Sequence, residues 1–546
     1  MYIAPNTTIK LYSGIPLDNT YTHTLWFDNI TAQNTYFHGG AHPTRAKYTL
    51  ASNSYQRVEK GKMRIAKTAD DAYDCNYLAF QNTNYGNKWF YAFITGVEYV
   101  NNETTEITFE IDSIQTYLFD MDLQECFVER EHSQTDAVGD NLQPEPIDTG
   151  DMICADTFRL GWFDKYCVVV NSSRWKPSGS QTYINGGLIG GLAQGMSPIC
   201  FKIDGDTATE TQQNVDAFLD YLDTVVNANK QDNIISLCMF PWNYAVQATD
   251  KTPKHSPVTS FSINSAIGSY TPKNNKLLTY PYNYLGVDCG NNEALYRYEW
   301  FADPTDINFD TVGVVSANPQ ISLIPKNYNG NTFLKGNYSE KLVMDGFPQV
   351  GFAVDSFKEW LANNGVASVL KGLGIVGGMA GAAVVGANAL TSGAITASAM
   401  TTGLIINGAS SALSLASIAN SAMVARNAPA QQHNTNSGEI DCADRQKNFY
   451  FKRMQITEER AKVIDDYFSM FGYACNRVKK PDRSVRLHWN YVKTKGCTII
   501  GRAPSDEIQK VCKIYDKGIT FWKDVVNVGI YHNPDGTLID NPAPVG

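Results

Sequence analysis

A run of alternating hydrophobic and polar positions between residues 88 and 112 is the clearest structural pattern in the chain. Residues 88–100 are rich in aromatic and β-branched side chains, and residues 101–103 (Asn-Asn-Glu) are typical of a turn. Residues 106–112 then alternate acidic residues or Thr with Ile or Phe. A period of two places one set of side chains on one face of a strand. The pattern therefore predicts a β-hairpin with one buried face.

Helices are predicted at three other places. The first is where apolar residues recur with the spacing of one helix face, at Val215, Phe218, Leu219, Leu222 and Val226. A second helix is predicted from Thr457 towards Gly472, because apolar residues again share one face and Gly suits the position after a helix end. A capping box at residues 68–71 predicts a short helix that continues through Leu78.

Changes in composition divide the chain into four predicted sections. A Pro-containing stretch, residues 133–150, is typical of a linker and opens the second section. The third section is hydrophobic. We therefore expect an α+β fold dominated by strands. The sections are an N-terminal β-rich portion (1–132), a middle α+β region whose fold the pattern does not define (133–355), a hydrophobic loop with its flanks (356–440), and a C-terminal portion with a helix and strands (441–546).

One segment differs from the rest because it has no titratable side chain. From residue 372 to residue 425, which is 54 positions, there is no Asp, Glu, Lys, Arg or His. Gly (9), Ala (14) and Ser (7) account for 30 of these positions. The apolar residues that we predict to insert into a membrane are Leu373, Ile375, Val376, Met379, Val384, Val385, Leu390, Ile395, Met400, Leu404, Ile405 and Ile406.

The first part of this uncharged segment has the length and glycine spacing of a membrane-spanning helix. Residues 372–390 number 19, close to the ~20 that cross a bilayer. Close helix packing is predicted at two Gly-x-x-x-Gly pairs, Gly374 with Gly378 and Gly377 with Gly381. Three interpretations stay open: a buried helical hairpin at a subunit interface, a constitutive membrane anchor, and a loop that is hidden in one state and enters a membrane in another.

Net charge and composition limit the classes of function. The formal net charge is −10, whereas a protein that reads DNA needs a surplus of Lys and Arg for the phosphates. Charged residues make up 18% of the chain, below the ~25% of typical soluble domains, and aromatic residues make up 12%. Such a chain is expected to bury surface in an oligomer.

No pattern predicts a catalytic, cofactor or metal site. The 11 cysteines contain no Cys-x-x-Cys pair, which argues against a disulfide framework or a zinc site. The histidines are isolated except for His38 and His42, and the two glycines between these argue against a helical metal site. Adjacent acids such as Asp465 and Asp466 are expected on a solvated helix face. We expect no enzymatic activity, no cofactor and, from the first residues, no secretory signal.

A short basic run near the C-terminus is a candidate contact site. It has four cations within seven positions, which would suit docking to a neighbouring protein or to DNA. The alternative is a solvated strand or loop without a partner. The candidate docking patch consists of Arg477, Lys479, Lys480 and Arg483.

Two ordered blocks of sequence resemble a known family. The first consists of residues 80–93, 109–112, 115–116, 119–120 and 130–132, and the second of residues 473–481, 490–495 and 518–522. Both are similar to the tail knob, or distal tail-tube, protein of small short-tailed (Picovirinae-like) bacteriophages that infect Gram-positive bacteria. The uncharged segment lies between the blocks, where such proteins carry a hydrophobic loop. Residues from about 150 to 350 add nothing to the resemblance.

The resemblance implies a function as well as a fold. It implies tail-tube-like β-barrel or sandwich domains that assemble into a homohexameric tube at the distal tip of the virion tail, after synthesis in the host bacterial cytoplasm. The hydrophobic loops would plug the tube until infection, then insert into the host cytoplasmic membrane and form a pore for DNA ejection. The implied partners are upper-tail or lower-collar proteins, the host membrane, and viral DNA that passes through the lumen without specific binding.

Two alternatives to a membrane-active tail knob stay open. One is a purely structural tail tube whose loops only plug the lumen. The other is a tail protein that binds a receptor or the cell wall through exposed aromatic side chains.

Overall fold

The computed structural model describes residues 6–542 with several gaps. The gaps are residues 40–45, 54–60, 84–85, 161–162, 164, 173–181, 184–187, 190–191, 194–196, 229, 231–232, 248–255, 258–260, 291, 315–318, 331–339 and 352–446. The uncharged segment 372–425, with the predicted insertion or plug residues and the four packing glycines, lies outside the described residues.

Strands dominate the described part of the chain, which confirms the predicted β-rich character. They are β1 (Thr7–Ser13), β2 (His23–Leu25), β3 (Tyr48–Asn53), β4 (Lys62–Ile65), β5 (Cys75–Asn82), β6 (Trp89–Asn101), β7 (Thr104–Ile111), β8 (Met121–Leu123), β9 (Cys126–Glu131), β10 (Met152–Arg159), β11 (Tyr166–Ser172), β12 (Thr182–Tyr183), β13 (Leu188–Ile189), β14 (Leu192–Ala193), β15 (Ser197–Lys202), β16 (Ile234–Pro241), β17 (Ser256–Pro257), β18 (Asn283–Asp288), β19 (Glu293–Tyr296), β20 (Phe309–Val314), β21 (Gln320–Pro325), β22 (Leu342–Met344), β23 (Gln349–Gly351), β24 (Tyr450–Ile456), β25 (Tyr473–Lys479), β26 (Trp489–Lys495), β27 (Ile499–Gly501) and β28 (Ile519–Trp522).

The helices are fewer and mostly short. They are α1 (Ile30–His38), α2 (Ala69–Ala72), α3 (Ser113–Tyr117), α4 (Ala208–Asn227), α5 (Trp242–Gln247), α6 (Glu458–Phe471) and α7 (Ser505–Lys517). Two 3-10 turns, Asn275–Leu278 and Tyr298–Trp300, complete the regular structure of the described residues.

The chain folds into two compact units, each built from separate stretches of sequence. The first unit contains residues 1–150, 266–277 and 457–546, and the second contains residues 151–265 and 278–456. Each unit has its own hydrophobic core.

The predicted hairpin forms in the first unit as β6 and β7. Val97 pairs with Ile107 in the antiparallel register, and the Ile107 and Phe109 side chains are buried. Among the described strands, the hairpin belongs to a six-stranded sheet with the order β3-β1-β5-β6-β7-β4. The alternation of apolar and polar side chains along β7 therefore matches the structure, in which one face of the strand is buried in the core.

The second sheet of the first unit joins the two ends of the chain. Its order in the described structure is β2-β28-β26-β9-β25, with β2 and β28 parallel and the other pairs antiparallel. The fully buried rings of Trp489 and Trp522 pack 5.2 Å apart between centroids. Aromatic side chains of this size bury large apolar areas, so this pair anchors the C-terminal strands in the core.

In the second unit a described five-stranded sheet with the order β12-β15-β11-β16-β23 contributes buried side chains of β11, β15 and β16 to the core. Every residue of β11 is buried. The predicted helix is confirmed as α4, whose Val215, Phe218 and Leu222 side chains are buried in this core. Spacing by three and four residues places these side chains on one helix face.

The helix predicted after residue 457 is confirmed as α6. Thr457 is its N-cap, because the Thr457 hydroxyl accepts the Arg460 N–H. The helix ends at Gly472, whose φ of +67° a residue with a Cβ rarely adopts. Strands are also confirmed near residues 499–501 and 519–522.

Two local predictions need correction. The capping box is real, since the Thr68 hydroxyl accepts the Asp71 N–H, but α2 ends at Ala72 and residues 75–82 form β5 rather than more helix. Pairing with β1 on one side and β6 on the other satisfies the backbone of β5, which overrides the local helix signal. Helix α7 was not predicted, although its buried Val511, Ile514 and Tyr515 follow helical spacing.

Candidate functional site

The basic run lies at the edge of the five-stranded sheet of the first unit. Arg477 and Lys479 belong to β25, which pairs with β9 on one side only in the described structure, and Lys480 and Arg483 follow this strand. A register shift between Ala474 and Arg477 interrupts the pairing with β9. Such irregular edges keep a strand from pairing freely with another chain.

Lys479 is compensated by two carboxylates. Its Nζ lies 2.6 Å from Glu131 Oε1 and 2.6 Å from Asp482 Oδ2, and Glu131 also accepts the Asp482 N–H at 3.0 Å. Burial raises the pKa of Glu131 in spite of these bonds. Burial alone would lower the pKa of Lys479, but the hydrogen bonds to Asp482 and Glu131 raise it. This cation is therefore part of a local ion pair rather than a free docking charge.

Two other cations of the run also have partners. Lys480 Nζ lies 2.7 Å from Asp122 Oδ1, and the Arg483 guanidinium carbon lies 4.7 Å from the centre of the Trp26 ring. Arg477 is exposed on β25 beside the exposed Val478. The structure thus places the four predicted residues on one strand and in the segment after it, and both Arg477 and Lys480 are exposed.

A polar cavity of about 440 Å³ opens beside the run. Its wall combines β25 with the stretch 133–143, which the sequence marked as a linker. The polar side chains of its lining include Ser133, Gln134, Asn141, Gln143, Arg477 and Asp482. The cavity can therefore accept and donate hydrogen bonds, as a contact surface for a polar partner requires.

A buried ion pair network fixes the linker stretch that forms this wall. Glu145 binds both Arg130 and Lys276, the latter with Nζ at 2.5 Å from Oε1, and accepts the Ala474 N–H at 2.8 Å. The side chains of Glu145, Lys276 and Arg130 are exposed to only 1%, 4% and 9%. Burial lowers the pKa of Lys276, which Glu145 opposes. Residues 133–150 contain neither helix nor strand, but the network holds them in place.

Asp465 ties the inserted stretch 266–277 to helix α6. Its carboxylate accepts the Tyr270 hydroxyl at 2.6 Å, the Lys273 N–H at 2.7 Å and the Asn274 N–H at 3.0 Å. The expectation that Asp465 lies on a solvated helix face is wrong, because its side chain is buried. A buried carboxylate is tolerated only when hydrogen bonds satisfy it, as they do here.

His132 is buried and neutral between β9, α6 and β26. Its Nδ1 accepts the Tyr491 N–H at 2.8 Å, and its Nε2 lies 3.0 Å from the Ser469 carbonyl oxygen, to which it donates. Burial, together with the charges of Arg486 and Arg130, lowers the pKa of His132 to about 3. Three consecutive polar residues, Arg-Glu-His at 130–132, interrupt the alternation of apolar and polar side chains along β9. This interruption is the feature of the sequence that could have indicated polar side chains in the interior.

Nothing in the geometry of the described residues points to membrane spanning or metal chemistry. None of the helices that the structure describes combines the length and apolar character needed to cross a membrane. Nor does any group of three or more His, Cys, Asp or Glu side chains in this part of the chain have a geometry suited to a metal ion.

Comparison with known proteins defines the class first. Residues 5–122 match the family model described as the N-terminus of the caudoviral major tail protein, and residues 247–534 match the C-terminal domain of the tail knob protein gp9 of Bacillus phage phi29. A β-rich chain with both matches is a structural protein of a phage tail. More specifically, the chain belongs to the gp9 tail knob family, because that match spans more than half of its length.

Individual relatives agree with this assignment. The chain is 25% identical to the tail knob protein gp9 of Bacillus phage B103, over 94% of this chain and 96% of that protein. It is 24% identical to the gp9 protein of phage phi29, over 96% and 98%. It also superposes on the solved structure of the bacteriophage C1 tail knob protein gp12 with a TM-score of 0.56 at 15% identity, over 98% of this chain and all of that one.

The family assignment confirms several expectations from the sequence. The resemblance to tail knob proteins is confirmed, and the chain is a structural component of the virion tail rather than an enzyme. The β-dominated fold is also confirmed.

Proposed function

We propose that the chain forms the distal end of the tail as a homohexameric tube of barrel- or sandwich-like β domains, and that its uncharged segment penetrates the host cytoplasmic membrane. The observation that carries the proposal is the 54-residue stretch without a titratable side chain, in a chain in which 18% of all residues are charged. One Asp, Lys or Arg at the centre of a membrane helix costs about 2.5–3.5 kcal/mol. A stretch free of such residues can enter lipid without this cost.

The same segment plugs the tube before infection in this proposal. Apolar side chains between Leu373 and Ile406 pack against each other and against copies from other subunits, while the glycines from Gly374 to Gly381 allow close helix contacts. Release exchanges protein contacts for lipid contacts, so the equilibrium shifts when a membrane is available. The N-terminal portion (1–132) and the C-terminal portion (441–546) would form the tube body.

The tube body would conduct DNA without retaining it. With a net charge of −10, the assembled wall repels phosphates, and a duplex passes through the lumen without specific contacts. The basic run is assigned to an upper-tail or lower-collar protein rather than to DNA, because Lys479 and Lys480 are already paired with carboxylates. Arg477, beside the polar cavity, is the residue expected to contact that partner. Assembly takes place in the host cytoplasm.

Dye release from liposomes tests the membrane step. Purified assembled protein is mixed with dye-loaded vesicles at pH 7 and after acidification, beside a deletion of 372–425. The matched variant replaces Val384 and Val385 with Asp, which keeps the segment length and adds about 5–7 kcal/mol to insertion. We expect release by the intact protein and none by either variant.

A different result would favour the structural alternative. If the intact protein releases no dye under any condition, while electron microscopy shows that the deletion opens the distal end of a six-fold ring, the loops act only as a plug. A monomer by mass measurement, or a ring without a lumen, would refute the tube itself.

A further inference from the structure

Three side chains of the second unit form a partly exposed stack on its surface. The Arg297 guanidinium carbon lies 4.0 Å from the centre of the Tyr280 ring and 4.6 Å from the centre of the Trp300 ring. Tyr280 and Trp300 are exposed to 37% and 36%, respectively. The Tyr284 ring continues the surface at 6.0 Å from Tyr280. This Tyr280–Arg297–Trp300 stack places a planar cation against two partly exposed aromatic rings.

The backbone around the stack is held rigidly. The Arg297 N–H donates to the Tyr328 hydroxyl at 3.0 Å, and the Trp300 carbonyl accepts the Asn329 N–H at 2.7 Å. The Trp300 ring packs 5.7 Å from the Tyr328 ring. Because these contacts fix the 3-10 turn that carries Arg297 and Trp300, the surface is formed before any ligand binds. Preorganisation of this kind lowers the entropy cost of binding.

The guanidinium of Arg297 carries the donors of the stack. Within the described residues its N–H groups donate no hydrogen bond, and its interactions are with the two rings and with the charges of Glu299 and Tyr328. An arginine of this kind keeps five N–H donors in a fixed fork. A ligand that reaches the stack meets these donors directly.

An acceptor lies beside the donors. Glu299 follows Arg297 in the same turn, and its Oε2 accepts the Tyr280 N–H at 3.3 Å. Burial raises the pKa of Glu299, which backbone hydrogen bonds and Arg297 partly offset. Glu340 adds a second negative charge near Tyr328. The stack therefore combines exposed aromatic rings, the N–H donors of Arg297 and the carboxylate of Glu299. The negative charges of Glu299 and Glu340 disfavour a phosphate or another anion at this place.

We propose that Tyr280, Arg297 and Trp300 form a binding site for an uncharged pyranose ring of a cell-surface glycan. The C–H groups of a pyranose pack on an exposed aromatic ring, and its adjacent hydroxyls accept from Arg297 and donate to Glu299. Nucleic acid fits less well, because its phosphates meet Glu299 and Glu340. This site gives the wall-binding alternative a definite location and is independent of the membrane activity of the uncharged segment.

Saturation-transfer NMR on the full chain tests the site. The probes are methyl α-glucoside, N-acetylglucosamine, glycerol 1-phosphate and an eight-nucleotide oligothymidine. We expect saturation of the ring C–H protons of at least one of the two sugars, with a Kd in the millimolar range. Trp300→Ala and Arg297→Lys should weaken this binding by about tenfold or more, because each removes either a rim or the planar fork.

Controls separate binding from folding. Trp300→Phe keeps an aromatic rim and should retain most of the binding. Tyr99→Ala removes another exposed aromatic, in the first unit, and should have no effect. Circular dichroism and thermal midpoints identify any variant that fails to fold, and Tyr280→Ala then replaces Trp300→Ala. The proposal is overturned if neither sugar binds the parent protein, if the stack variants bind as well as Tyr99→Ala, or if oligothymidine binds at the stack and the sugars do not.

Discussion

Removal of the Glu145 carboxylate should destabilise the first unit strongly. Glu145→Gln keeps the shape of the side chain and an oxygen to accept the Ala474 N–H, but it leaves Arg130 and Lys276 buried without their shared counter-charge. Both cations are at least nine-tenths buried. Breaking a buried ion pair by removing one partner costs about 3–5 kcal/mol, because the remaining charge cannot be hydrated. We expect a loss of this size in the free energy of unfolding.

Urea unfolding followed by tryptophan fluorescence measures this loss. Trp489 and Trp522 lie in the core of the first unit and report on it. With an m-value of roughly 2 kcal/mol per M, a loss of 4 kcal/mol lowers the unfolding midpoint by about 2 M. The second unit provides an internal reference, since its separate core should unfold as before.

Two further variants make the interpretation specific. Asp122→Asn breaks the exposed pair between Asp122 and Lys480, whose side chains are 64% and 55% exposed, and should barely lower the unfolding midpoint, because water already screens this pair. Glu145→Leu combined with Lys276→Met removes two opposite charges together and should restore roughly half of the loss or more. If Glu145→Gln costs no more than Asp122→Asn, the buried network does not hold residues 133–150, and our reasoning is refuted.

Three other predictions concern single residues of the first unit. Asp465→Ala should cost about 3 kcal/mol by urea unfolding, because it leaves several buried donors unpaired, whereas Asp466→Asn should cost much less. His132 has a folded pKa of about 3 and an unfolded pKa near 6.5, so the unfolded chain binds more protons between these values and stability falls as the pH drops through this window. The loss from His132 between pH 6.5 and 4.5 should be about 2 kcal/mol, and His132→Gln should remove this part of the pH dependence. Gly472→Ala should prevent folding of the first unit or cost several kcal/mol, because its Cβ would lie 2.2 Å from the Glu131 carbonyl oxygen, while Gly529→Ala, also at positive φ but in open space, should cost only about 1 kcal/mol.

Each of these predictions has a result that would contradict it. Equal losses for the two aspartates would mean that the stretch 266–277 does not depend on Asp465. For His132 the measured quantity is the difference in unfolding free energy between the parent protein and the variant at each pH. The difference is needed because burial also raises the pKa of Asp112 to about 6, and titration of Asp112 changes stability with pH in the opposite direction. Parallel pH profiles would show that His132 does not titrate as inferred. Similar costs at Gly472 and Gly529 would contradict the close backbone contact.

The sequence predicted best what depends on neighbours along the chain. The hairpin β6–β7, helix α4 and helix α6 each follow from a local period and, for α6, also from the glycine that ends it. The extension of α2 towards Leu78 failed because β5 is stabilised by strands that lie distant in sequence. Local propensity carries no information about such partners.

The polar interior escaped prediction for the same reason. Asp465 lies on α6, and the spacing of apolar residues along this helix predicts that the Asp465 side chain faces solvent. The side chain is buried only because the stretch 266–277 packs against it. Glu145 lies in a Pro-containing stretch without period, and its partners are 15 and 131 residues away. The basic run was found from composition, but its carboxylate partners could be located only in the folded chain.

The order β2-β28-β26-β9-β25 has a consequence for biosynthesis. The central strands β26 and β28 are made last, about 360 residues after β9 leaves the ribosome. At 5–20 residues per second this interval is roughly 20–70 s, during which β2 and β9 have no native neighbours in their sheet. A nascent chain released early would keep that edge unpaired and open to aggregation. Completion of translation thus becomes the condition for a complete sheet in the first unit.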